Sequence, residues 1–127
     1  MRLVLNVTTI MNKVIRDNKV AVLLSPTYGI GFYTQYEDSP GSKNLLFDPV
    51  LVGLVESTPS NERNADWFKK FNDRARELLP EDACYVDTDS SDIICIAWVE
   101  CGKRFIVKEC DGSETIEIED DMDWVVA

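Results

Sequence analysis

Asp111-Gly112 lies between two runs in which apolar and polar residues alternate, Arg104 to Cys110 and Ser113 to Glu119. Asp and Gly both accept the positive φ of a two-residue turn, so this segment closes an antiparallel hairpin and fixes its register. Cys110 faces Ser113, Val107 faces Ile116 and Phe105 faces Ile118. Phe105, Val107, Ile116 and Ile118 form the core side, whereas Arg104, Ile106, Lys108, Thr115, Glu117 and Glu119 form an amphipathic wet side suited to self-association. Glu109 opposite Glu114 reads as a like-charge pair at an exposed hairpin tip.

A second hairpin is expected near the start, where residues 13–16 and 19–25 flank Asp17-Asn18. Pro26 to Gly31 then forms a loop leading into a strand over Phe32 to Tyr36, and residues 37–43 form a surface turn. Asp48 as N-cap with Pro49 at the first helical position starts a helix over about 49–56. Ser60 caps a second, 61–79, stopped by Pro80; its apolar stripe is Trp67, Phe68, Phe71, Ala75, Leu78 and Leu79, with Asp66 and Lys70 paired on the wet side. Residues 83–86 and 93–99 complete the β-rich last third. The expectation is an α+β fold, mainly antiparallel sheet with hairpins at both ends of the chain and two helices packed on it. One domain covers 1–127; residues 1–12 extend the first strand or follow from an upstream start codon, and 120–127 form an acidic end.

The composition narrows function by exclusion. The 127 residues are 45% hydrophobic, enough for one core without metal or disulfide staples. The net charge is −10, so a broad DNA, RNA or anionic-membrane footprint is not expected. With no histidine, Ser-His-Asp and Cys-His catalysis and His-ligated metal are excluded. Cys84, Cys95, Cys101 and Cys110 contain no C-x-x-C pair and read as buried or half-buried free thiols in strands. Asp87 to Asp92 lacks the Gly and Glu of a calcium loop, having Asp92 and Trp98 at those positions, and reads as a polar strand connection. Neither a metal nor a cofactor is expected. Residues Met1 to Ile10 lack a continuous apolar h-region, and no apolar run reaches transmembrane length, so a cytoplasmic protein is expected.

Charge is unevenly spread: residues 81–127 carry three basic and fourteen acidic side chains. A solubilising end explains this most simply. Alternatively Glu114, Glu117, Glu119, Asp120, Asp121 and Asp123 form a phosphate-like track that mimics nucleic acid. The loop Ser25 to Tyr33 carries two glycines with three aromatics. As residues alone it is a tight turn with core aromatics, yet glycines admit an anion to backbone N–H groups and rings stack on bases.

Four blocks bear on the choice: Val14 to Pro26, Tyr28-Gly29-Ile30-Gly31-Phe32, Leu46-Phe47-Asp48-Pro49, and Phe105 to Glu114. In this order they resemble a small family encoded by tailed bacteriophages and prophages, the Thoeris anti-defence sponges of the first type. The resemblance implies a β-sheet core with two helices, assembly as dimers or hexamers, and non-enzymatic capture of cyclic ADP-ribose isomers or cyclic oligonucleotides. The chain departs from the family at Thr27 for Gly, Ile30 for Ala, Phe32 for Trp, Gln35 for the frequent Trp, and Cys110 for Tyr. It also has Glu100-Cys101-Gly102 near the family's Pro-Glu-Gly. What is implied is therefore a type of function rather than a particular ligand.

The expectation is a phage counter-defence protein that sequesters a cyclic nucleotide immune signal in the bacterial cytoplasm. In its site Tyr28, Phe32 or Tyr33 stacks a base, Gly29 and Gly31 bring backbone donors close, and Arg104 meets phosphate, although Arg104 is explained most simply by Glu119 across the strand. The alternative is an acidic mimic that blocks a basic defence protein such as a CRISPR effector.

Overall fold

Both turns form as their sequences dictate, with φ of 51° and 63° at Asp17 and Asn18 and 51° and 87° at Asp111 and Gly112. The computed structural model describes residues 12–27, 31–80 and 94–119. Its first turn joins β1 (Ile15–Arg16) to β2 (Lys19–Leu24), and its second joins β4 (Phe105–Cys110) to β5 (Ser113–Ile118). β3 (Cys95–Glu100) runs antiparallel to β2, with Val20 opposite Val99 and Val22 opposite Ala97, giving a sheet ordered β1-β2-β3. The β4–β5 hairpin is a separate two-stranded sheet in the expected register, Phe105 to Ile118 through Cys110 to Ser113. With α1 (Asn44–Phe47), α2 (Pro49–Ser57) and α3 (Ala65–Glu77), the fold is α+β.

β2 is the centre of the core. Ala21, Val22, Leu23 and Leu24 are all buried, so both faces of the strand are covered, as a continuous apolar run requires. α1 and α2 supply Leu45, Leu46, Leu51, Val52 and Val55, and α3 adds Trp67, Phe71 and Ala75. Phe71 stacks on Trp67 at 5.1 Å between ring centroids and meets Phe32 at 5.6 Å. Each such side chain contributes about 1.5–3 kcal/mol when fully buried.

Asp48 is the joint between α1 and α2. Its backbone N–H donates to Asn44 O at 3.0 Å, and its side chain accepts from Leu51 N at 3.1 Å as the N-cap of α2. Arg63 ties three segments together, donating to Thr58 O at 3.0 Å and Ile94 O at 3.1 Å while its guanidinium lies 4.5 Å above Trp67.

Several local expectations are corrected. Phe32 to Tyr36 is not a strand; Thr34–Tyr36 is a 3-10 turn. Helical spacing lets Phe32, Tyr33 and Tyr36 all enter the core, which alternation would forbid. The second helix begins at Ala65 because Asn64, not Ser60, caps it, accepting from Trp67 N at 2.9 Å; Ser60–Glu62 is an isolated 3-10 turn. The helix over 49–56 is present and is preceded by α1. Cys95 and Cys110 are exposed rather than buried, and Cys101 lies in the turn after β3. Residues 83–86, the Asp87 to Asp92 segment, Cys84 and the two chain ends lie outside the described residues.

Candidate functional site

The β4–β5 hairpin meets the rest of the chain along two lines. At one end Phe105 packs edge-on against Phe47 of α1, 6.2 Å between centroids. At the other, Glu114 N donates to Ser25 O at 2.7 Å and Ser113 Oγ donates to Pro26 O at 2.7 Å. Beside the Phe47–Phe105 contact lies an open groove of about 430 Å3, within the roughly 300–1,000 Å3 of small-molecule sites.

One wall of the groove comes from Tyr33, Glu37, Lys43, Leu46 and Phe47, with Lys13 reaching over from the segment before β1. The other is β4 and its approach, Lys103 to Val107. The lining is thus partly aromatic and aliphatic, and among the described residues it carries four cations and one carboxylate, Glu37. Lys13 Nζ stands 4.6 Å above the Phe47 ring, so its charge is held over the floor. The Arg104 side chain is 84% exposed and its Nε lies 3.1 Å from Glu119 Oε2. Burial, reinforced by Glu37, Glu114 and Asp38, pushes the Tyr33 phenol above its ordinary range.

Of the six residues expected to bind ligand, Tyr33 and Arg104 come together across this groove. Tyr28 and Gly29 lie outside the described residues. Phe32 is corrected from a stacking ring to a core residue, since at 1% exposure against Phe71 it has no face to offer a base. Gly31 is corrected as well, for the anion it admits is internal. Ser25 N donates to Glu114 Oε1 at 2.8 Å, while Thr34 N and Thr34 Oγ1 donate to Glu114 Oε2 at 2.8 and 2.9 Å. A Cβ on Gly31 would stand 2.1 Å from Thr34 Oγ1 and 3.0 Å from Glu114 Oε2. The glycine therefore makes room for a carboxylate from the protein's own β5, and Glu114, 1% exposed, is no exposed hairpin tip.

The described members of the acidic track are each engaged within the chain. Glu114 is buried, Glu117 pairs with Lys108 at 2.7 Å, and Glu119 pairs with Arg104; Asp120, Asp121 and Asp123 lie outside the described residues. Those two ion pairs also span the hairpin's wet side, flanking Ile106, which is half exposed. Two further arginines are engaged structurally: Arg16 with Glu56, and Arg74 with Asp48.

Sequence reasoning missed Lys13, Lys43, Leu46, Phe47 and Phe105 as groove residues. Leu46, Phe47 and Phe105 fall within the blocks quoted for the resemblance, but their residue types alone mark them as core rather than as groove lining. Comparison of the chain with family models, curated proteins and solved structures gives no match. Among the described residues no group of three or more metal-ligating side chains occurs, and no helix is long and apolar enough to cross a membrane.

Proposed function

We propose that the protein is a non-enzymatic binder that captures a phosphate-bearing nucleotide in the groove between α1 and β4. The observation that carries this reading is the concentration of Lys13, Lys43, Lys103 and Arg104 around a floor of Leu46, Phe47 and Phe105, in a chain whose net charge is −10. Such a protein repels anions everywhere except where cations are gathered. Fixed cations attract phosphate, the Arg fork can meet it bidentately, and the apolar floor accommodates a base or ribose face. The protonated Tyr33 phenol adds a neutral donor.

The family resemblance supplies the setting. In it the captured molecule is a cyclic nucleotide immune signal, the host is an infected bacterium, the compartment is its cytoplasm, and the protein works by sequestration as a homo-oligomer. The absence of histidine from the sequence favours capture over turnover. The nucleic-acid-mimic alternative loses support because its described acids are buried or paired.

Native mass spectrometry of protein purified from cells producing such a signal, before and after denaturation, tests the proposal. A nucleotide mass carried by the folded protein and released on unfolding is expected. Ligand-free protein, together with flat calorimetric titrations against cyclic dinucleotides and cyclic ADP-ribose, would overturn it. Salt-sensitive co-purification with a basic host complex would favour the mimic instead.

A further inference from the structure

Glu114 is the buried carboxylate closest in role to the groove, although it does not line it. Among the described residues its side-chain hydrogen bonds come from neutral donors, one oxygen receiving Ser25 N just after β2 and the other Thr34 N and Oγ1 at the start of the 3-10 turn. Stripping a carboxylate of water is costly, so an apolar residue would be the cheaper filler if only packing were needed. What a carboxylate offers is two equivalent acceptors at a fixed separation. Glutamine offers one acceptor, and its amide would face an N–H donor with another donor.

The two segments it grips matter for the groove. Thr34 follows Tyr33, which stands in one wall. Glu114 itself sits on β5, paired to β4, and β4 with its approach is the opposite wall. One side chain therefore ties the Tyr33 segment to the hairpin that carries the opposite wall, from the Glu109 register position rather than from the wall itself, and Gly31 is shaped to let it do so. We propose that Glu114 is a positioning residue that sets the place of the Tyr33 wall relative to the wall carrying Lys103 and Arg104. The proposal rests on the reading of the groove as a nucleotide site.

The experiment compares wild type, E114Q and E114A, with adenosine 5′-diphosphate as the probe at low ionic strength. Amide exchange at Thr34 and Arg104 reports the walls independently of the probe. In folded E114A, exchange at Thr34 should quicken at least tenfold and probe affinity should fall about tenfold; added formate, which refills the carboxylate position, should restore both. E114Q should lose affinity by a similar factor because one of its two sides cannot accept. Where E114A does not fold, the isosteric E114Q carries the test. Wild-type affinity and wild-type Thr34 exchange in either folded variant would overturn the proposal. If wild type itself takes up no probe, the groove reading fails, while exchange at Arg104, away from Glu114's own hydrogen bonds, still decides positioning: quickened and formate-reversed exchange there supports it, unchanged exchange there overturns it.

Discussion

Gly31 and Glu114 are packed so closely that the glycine's missing side chain is the space the carboxylate and Thr34 occupy. Gly31→Ala should therefore destabilise the protein by about 1–3 kcal/mol through overpacking. Thr34 can turn its hydroxyl away only by giving up a bond to Glu114. The clash with Thr34 Oγ1 disappears in a Thr34→Ala background, so the two substitutions should be non-additive, with the double variant more stable than the sum predicts. Urea unfolding of the four members of this cycle checks it; additivity would mean that the loop relaxes elsewhere.

Asp48 and Arg74 form a second, partly buried joint. Arg74 donates from Nε and Nη2 to the two oxygens of Asp48 at 2.9 and 2.7 Å, and hydrogen bonding to Asp48 is the main reason its guanidinium pKa is raised. The Asp48 side chain is 5% exposed, whereas that of Arg74 is 31% exposed. Arg74→Ala should cost about 2–3 kcal/mol, below the range for breaking a fully buried pair because water reaches the Arg side. Asp48→Asn keeps an N-cap acceptor and should cost less than Asp48→Ala, which loses cap and pair together. Thermal unfolding of the three variants orders them.

The hairpins were legible because two-residue turns act locally: Asp17-Asn18 and Asp111-Gly112 set the backbone, and the register followed. That same register held the clue to Glu114. It has the parity of Phe105, Val107 and Ile116, the core side, yet its charge and the facing Glu109 argued for exposure. Parity won because Ser25 and Thr34, 89 and 80 residues away, satisfy the carboxylate, and no local pattern announces such partners. Phe32 to Tyr36 failed for a different reason, since β-favouring residues were overruled by tertiary packing that buries three rings in a turn. The groove combines Lys13, Lys43 and Arg104 from distant segments, so of its cations only Arg104, next to a strand already placed by its turn, was visible beforehand.

Phe32 and Phe47 are both core rings, but only Phe47, 7% exposed, also borders the groove. Phe32→Ala should destabilise the fold by about 3–5 kcal/mol, while Phe32→Leu, keeping most of the volume, should fold and retain nucleotide binding. Phe47→Leu should also fold but bind more weakly, because it removes the ring beneath Lys13. Lys43→Ala and Arg104→Ala should each weaken binding by about 1–3 kcal/mol where they make charge-assisted contacts, with losses that shrink as salt is raised. Calorimetry at two ionic strengths tests all four; Phe32→Leu losing more affinity than Phe47→Leu would place the site elsewhere.

Tyr33 gives the protein a pH signature in the alkaline range. Its phenol is raised above the ordinary value of 10.0, first by burial and then by the negative charges of Glu37, Glu114 and Asp38. In the unfolded chain the proton leaves at the ordinary value, so below it both states are protonated and the full stabilisation is present. As the pH climbs past 10.0 the unfolded state ionises first and the native state loses stability, until the folded phenol titrates in turn. Tyr33→Phe removes this component while keeping the ring. The stability difference between wild type and Tyr33→Phe should therefore be flat from pH 7 to 9 and then move against wild type as the pH rises further. Denaturant unfolding across that range measures the difference. A difference that stays flat beyond pH 10 would mean that the phenol ionises as readily in the fold as in the free chain.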